Sequence, residues 1–226
     1  MKTSPEADDP QFADLIRRVI RAGETLATFN FEDTSLPWRE AKTPYRVFLA
    51  EFLLVRTRTD AVMRLFGEIV ATYPDIQSLA NTSEERLQAI LQPLGMQKRA
   101  ALLIRGARYI LSHYDGQIPK NVEDLLTIPG LGRYTAAAIA AFAYDVPEVP
   151  ADVNVLRFVS RLTGLPMEHP TKGSKRLVTL LPSLSKERTG LKPENLLDFT
   201  RKICRPRTPL CHQCPLRPDC NYGQSV

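Results

Sequence analysis

Cysteine is absent from the first 203 residues of this 226-residue chain, tryptophan occurs once and histidine only three times. A secreted disulfide scaffold spreads its bridges through the fold, so this distribution argues against one. No apolar run approaches the ~20 residues that a membrane-spanning helix needs; the longest, 136–143, is eight residues. Alternation of apolar and polar residues at period two is almost absent, which disfavours a sheet. Residues 1–10 are acidic and polar, unlike the basic and apolar regions of a secretory signal. With 43% apolar and 24% charged residues, disorder and collagen-like composition are also excluded. The expectation is a soluble, cytoplasmic protein with no membrane partner. A net charge of +5 is compatible with a polyanionic partner, though ordinary solvated surface carries as much.

What is present is helical periodicity nearly everywhere. Phe12, Leu15, Ile16, Val19 and Ile20 fall on one face of a first helix. A proline-punctuated loop follows over about 30–43. Helices are then expected at about 44–57, 59–72, 83–91, 97–113, 122–128, 133–144, 153–162, 172–181 and 193–204. Leu94-Gly95 and Asp115-Gly116 mark breaks between them. The fold class is therefore all-α, about ten short helices.

All four cysteines lie within residues 204–220. Cys204, Cys211, Cys214 and Cys220 have the spacing C-x6-C-x2-C-x5-C. Four thiolates this close can hold a tetrahedral zinc ion or an iron–sulfur cluster; the x6 and x5 gaps fit paired zinc knuckles poorly, and two disulfides are a third option. Arg201, Lys202, Arg205, Arg207 and Arg217 surround them, either as a phosphate-contact patch or as a solvated face. His212, inside the loop, reads as exposed rather than as a ligand.

Ile128-Pro129-Gly130-Leu131-Gly132-Arg133-Tyr134-Thr135 joins two helices. Two glycines permit backbone conformations closed to other residues and leave N–H groups exposed at the next helix start, where a phosphate can be held without side chains. With Ala136 this stretch resembles the helix-hairpin-helix of DNA repair glycosylases of the endonuclease III-like superfamily. The resemblance implies that Gly130, Gly132, Arg133 and Thr135 grip the phosphodiester backbone together with a monovalent cation. It also implies a [4Fe–4S] cluster on the four cysteines, whose spacing and following Pro215 match that family's cluster loop.

Asp152 lies 22 residues beyond Gly130, ahead of a helix, and from pattern alone is an N-cap. In the family a catalytic aspartate occupies this place within a similar Asp-x-Asn-x-x-Arg stretch, here Asp152, Asn154 and Arg157. Its carboxylate would stabilise positive charge developing on the sugar and orient the attacking water. Glu51, among apolar neighbours in Pro44-Tyr45-Arg46-Val47-Phe48-Leu49-Ala50-Glu51, would ordinarily snorkel outward. Adenine and thymine mismatch glycosylases carry a glutamate at the matching point, where burial would raise its pKa and make it a proton donor to the departing base. Strand-cleaving members carry a lysine where this chain has Tyr134. A phenol forms no Schiff base, so the resemblance implies a monofunctional enzyme with Tyr134 as a pocket wall. Arg56-Thr57-Arg58-Thr59 is closer to the arginine-rich stretch of thymine mismatch enzymes than to the adenine branch. Arg56 would fill the gap left by the flipped base or meet the orphan guanine, and both Arg56 and Arg58 are equally consistent with phosphate contacts.

The resemblance thus implies two helical modules flanking a DNA-binding cleft: a six-helix module at 44–147 and a cluster module from 1–43 with 148–226. The expected activity is hydrolysis of the N-glycosidic bond of thymine or uracil opposite guanine in double-stranded DNA, by a monomer associated with the nucleoid. Adenine opposite guanine or 8-oxoguanine is the alternative, and a non-catalytic iron–sulfur DNA-binding module a distant one.

Overall fold

The computed structural model describes residues 9–31, 35–169 and 173–226, and among them every regular element is a helix. The chain divides into two compact units, Met1–Asp33 with Pro147–Val226, and the contiguous Thr34–Val146.

The discontinuous unit begins with α1 (Pro10–Ala27). Asp9 caps it by accepting from the Gln11 N–H at 3.0 Å, and Pro10 occupies the first turn, where its missing N–H costs nothing. Phe12, Val19, Ala22 and Leu26 form its buried stripe; of the face expected from the sequence Phe12 and Val19 are buried, and Leu15, Ile16 and Ile20 are half-buried.

The contiguous unit opens with a helix the sequence reading placed in a loop, α2 (Pro37–Glu40). Trp38 is buried there and meets the Phe66 ring edge-on at 5.2 Å. Arg46 donates to the Pro37 carbonyl at 3.0 Å and lies over the same Phe66 ring. These contacts place residues 35–43 with the contiguous unit, so the boundary expected at 43/44 falls about ten residues too late. Next come α3 (Pro44–Leu54), capped by Thr43, and α4 (Thr59–Thr72), which buries Val62, Phe66 and Ile69. The reading of α3 as running to residue 57 overshoots, because Arg56 has φ +56° and no α-helix continues through a left-handed residue. Two short helices, α5 (Ile76–Ala80) and α6 (Glu84–Leu91), are capped by Asp75 and Ser83. Of the apolar stripe Ala100, Leu103, Ile104, Ala107, Ile110 and Leu111 that periodicity predicts on α7 (Ala100–His113), all are buried but Leu111, which is half-buried. α8 (Val122–Thr127) and α9 (Arg133–Tyr144) close the unit; α9 is buried continuously from Thr135 to Phe142.

The chain then returns to the first unit with α10 (Val153–Thr163), α11 (Lys175–Leu180), α12 (Lys186–Thr189), α13 (Pro193–Lys202) and α14 (Asn221–Gln224). The expected start of α11 at Lys172 lies outside the described residues. Val155, Leu156, Phe158, Val159, Leu162 and Phe199 share one core with Phe12, Val19 and Leu26 of α1. Each such buried side chain contributes about 1.5–3 kcal/mol. Asn195 fastens the two chain segments: its amide donates to the Phe29 carbonyl at 2.6 Å and its oxygen accepts the Phe31 N–H at 2.6 Å.

Candidate active site and nucleic-acid interface

In the contiguous unit, the turn between α8 and α9 is tight because Gly130 adopts φ +96°. A Cβ there would stand 2.9 Å from Leu102 Cγ and 2.9 Å from Phe52 Cε2. Gly132 differs: its backbone is extended, and a Cβ on it would meet nothing within 4 Å. Gly132 is the N-cap of α9 and supplies no side-chain acceptor to the first-turn N–H groups. An anion approaching this open side meets amide hydrogens and the positive end of the helix dipole. Arg133 is exposed and pairs loosely with Glu123 at 4.0 Å. Thr135, by contrast, is 4% exposed as a residue and opens the continuously buried stretch of α9. Tyr134, between them, is half-buried.

Glu51 is 5% exposed, in a run of seven buried residues from Val47 to Phe52 and Leu53 on α3. The outward-reaching position that an isolated pattern favours is therefore not adopted. Arg56 is exposed at the left-handed turn that follows α3. Arg58 is turned onto Asp60 in a bidentate pair, Nε to Oδ1 at 3.0 Å and Nη2 to Oδ2 at 2.8 Å. That pair holds the Asp60 carboxyl below the usual carboxylate range.

In the other unit, Asp152 caps α10. Oδ1 accepts from the backbone N–H groups of Asn154 and Val155, both at 2.8 Å, and Oδ2 accepts from the Asn154 amide at 2.6 Å. The capping role read from sequence is thus seen directly. It leaves Oδ2 with an acceptor lobe, since each carboxylate oxygen offers about two. Asn154 is itself oriented, because its oxygen accepts from Arg157 Nη1 at 2.8 Å. Arg157 Nη2 donates to the carbonyls of Thr200 at 3.1 Å and Cys204 at 2.8 Å. A continuous string of hydrogen bonds therefore ties the carboxylate to the end of α13 and the first cysteine. Sequence reasoning noticed Asn154 and Arg157 only as part of a pattern.

The four cysteines are free thiols, and all four line one apolar chamber whose walls include Phe158, Phe199, Ile203, Leu210 and Leu216. Among the described residues no group of three or more His, Cys, Asp or Glu is placed to hold a metal ion. Burial pushes the Cys214 thiol up to about 11 and raises that of Cys220 as well. N–H groups reach the sulfurs, among them Arg161 Nη1 to Cys204 at 3.5 Å and Gly223 N to Cys220 at 3.4 Å. Arg161 also holds the loop through the Arg205 and Pro206 carbonyls at 2.6 and 2.8 Å. The basic residues nearby are exposed yet engaged: Arg201 with Asp198, Lys202 with the Phe31 carbonyl, Arg205 with the Lys202 carbonyl and Arg217 with that of Val226. His212 is exposed and pairs with Gln213. No helix among the described residues is long and apolar enough to cross a membrane.

The chain is 35% identical over 201 residues to a thymine-DNA glycosylase of Aeropyrum pernix, covering 85% of this chain and 88% of that protein. A thymine/uracil-DNA glycosylase of Pyrobaculum aerophilum is 34% identical over 82% of this chain and 83% of its own length. The solved structure of a thermostable thymine-DNA glycosylase superposes with a TM-score of 0.83 over 95% of this chain and 99% of that one, at 27% identity. Residues 49–183 match the model of the HhH-GPD superfamily base excision DNA repair proteins. That span holds the hairpin, Glu51, Tyr134 and Asp152 on the helices just described, and the chain is a member of this superfamily, a base-excision DNA glycosylase.

Proposed function

We propose that this glycosylase is monofunctional and removes thymine or uracil mispaired with guanine. The observation that carries the first half is Tyr134: a phenol stands at the place where strand-cleaving members carry a Schiff-base lysine, and it has no nitrogen to offer C1′. The base choice is supported by the printed activities of the two relatives and of the superposed structure.

In this reading the bond electrons leave with the base, and the sugar acquires oxocarbenium character. The Asp152 carboxylate, held by two backbone amides and the Asn154 side chain, stabilises that charge without having to reorganise. Water then adds to C1′ and surrenders a proton, leaving an abasic site and a free base. Glu51, buried on α3, supplies the proton or hydrogen bond that the departing base requires. The hairpin holds phosphate and carries no sequence information.

We infer that Cys204, Cys211, Cys214 and Cys220 bind a [4Fe–4S] cluster. The support is the donor set, four unbridged thiols lining one apolar chamber. When bound, such a group supplies a rigid, charged cross-link to the loop, and the thiols lose their protons on binding. Iron and acid-labile sulfide in equal amounts in freshly purified protein support this; stoichiometric zinc overturns it.

The decisive assay incubates labelled duplexes carrying T·G, U·G, A·G and A·8-oxoguanine pairs, with and without later alkali. Cleavage of T·G and U·G only after alkali is expected. Alkali-independent cleavage, or a borohydride-trapped adduct, overturns the monofunctional reading; release of adenine alone overturns the base choice.

A further inference from the structure

We propose that Arg99 is a positioning residue that fixes the left-handed turn at Arg56 and keeps the Arg56 side chain projecting from the contiguous unit. The inference rests on the reading of Arg56 as the residue that enters the duplex where the base leaves, and it adds what holds it there.

The last carbonyls of a helix lack intrahelical partners. At the end of α3 two carbonyls are taken by one side chain: Arg99 Nη1 donates to Val55 O at 2.7 Å and Nη2 to Phe52 O at 3.2 Å. The same guanidinium lies over the Phe52 ring, 5.1 Å from its centroid. This planar fork spans the stretch immediately before Arg56, which is one of three described residues other than glycine with positive φ. Such a conformation persists only where its surroundings over-determine it. A second support comes from the same loop, where Thr57 donates to the Leu54 carbonyl through its N–H at 3.2 Å and approaches Met96 Sδ through its hydroxyl at 3.5 Å.

Arg99 also governs where the Arg56 head can go. Free carbonyls at a helix C-terminus attract a nearby cation, and Arg99 already occupies the two it bonds. Its own charge repels that of Arg56, an effect that, after burial, lowers the pKa of Arg99. Arg56 is thereby denied the path back onto α3. Phe52 extends the arrangement to the hairpin, because the ring carrying the Arg99 guanidinium is also the one against which Gly130 packs. The turn and the hairpin thus rest on one aromatic ring.

The test is a double-mutant cycle on the full-length protein, R99Q against R56A, read two ways. In the free protein, amide hydrogen exchange of Thr57 is expected to accelerate at least tenfold in R99Q, while protection in the middle of α9 stays unchanged. On a T·G duplex, with 2-aminopurine beside the mispair as a reporter of base unstacking, R99Q is expected to lower both the fluorescence rise and the single-turnover rate about tenfold. In the R56A background the further loss should be less than twofold, and R99K should recover only part of the rate because an ammonium lacks the fork. Unchanged exchange at Thr57 overturns the clamp whatever the substrate proves to be. Fully multiplicative losses overturn its action through Arg56. If R56A alone excises normally while R99Q loosens Thr57, the clamp stands and the reading of Arg56 fails, so the two remain separable.

Discussion

Asp152 holds two roles that chemistry can pull apart. In Asp152→Asn the amide oxygen still accepts the Asn154 and Val155 N–H groups, since asparagine caps a helix about as well as aspartate. What is lost is the Oδ2 bond to the Asn154 side chain. Arg157 fixes the Asn154 oxygen on its other side, so the new amide nitrogen faces a donor rather than an acceptor. One lost hydrogen bond costs about 0.5–1.5 kcal/mol net. Asp152→Ala forfeits the cap too, another ~1 kcal/mol, for a total of about 2 kcal/mol. Against a typical 5–15 kcal/mol of stability, neither variant should unfold. Activity should respond differently, because removing a preorganised group from a developing charge typically costs about 10²–10³-fold or more. Single-turnover excision on a T·G duplex, paired with urea denaturation and DNA-binding anisotropy, separates the effects. Both variants should be nearly inactive and bind DNA, with Asn the more stable. An Asn variant that keeps more than about a tenth of the wild-type rate would show that the carboxylate is only a cap.

The two hairpin glycines should part company. Gly130→Ala combines about 1–2 kcal/mol of left-handed backbone strain with about 1–3 kcal/mol of overpacking against Leu102 and Phe52, so urea denaturation should show a loss of about 2–5 kcal/mol. Gly132→Ala meets open space, and its weaker cap is offset by reduced unfolded-chain entropy; stability should stay within about 0.5 kcal/mol while DNA affinity in anisotropy falls. Tyr134→Lys should gain alkali-independent strand cleavage and a borohydride-trapped DNA adduct on gels. Asp75 accepts the Ser78 N–H at 2.7 Å, which holds its carboxyl below the ordinary 3.8. Its contribution is present above that value and lost as pH falls through the depressed folded one. Asp75→Asn, which keeps the cap, should therefore flatten the acid limb of a stability–pH curve.

The long helices were legible because burial imposes its period on sequence: Phe12 and Val19 of α1, and Ala100, Leu103, Ile104, Ala107 and Ile110 of α7, are buried where the apolar spacing puts them. Helices of four or five residues, such as α2, α5 and α12, are too short to show a period, and of these three only α5 carries a side-chain cap, from Asp75. Glu51 was misread by pattern because α3 is buried nearly all round, so it has no polar face to which a glutamate could escape. The turn at Arg56 was invisible for another reason. Its conformation is enforced by Arg99 and Met96, some forty residues later, and nothing in Val55-Arg56-Thr57 itself demands it. The cysteine spacing announced a shared site, but the walls contributed by Phe158 and Arg161 depend on how α10 packs.

The division of the chain also dictates an order of assembly. The stretch Thr34–Val146 is continuous, so it can become native during translation while the ribosome is still making the remainder. The other unit needs α1 to wait for partners more than a hundred residues away: a Cβ at Gly23 would come within 2.6 Å of Thr189, and Asn195 grips the backbone at Phe29. Until those late segments emerge, the apolar stripe of α1 stays exposed. Newly made chains should accordingly be most vulnerable to proteases and chaperone capture near their amino terminus, and the cysteine chamber should be the last feature to mature.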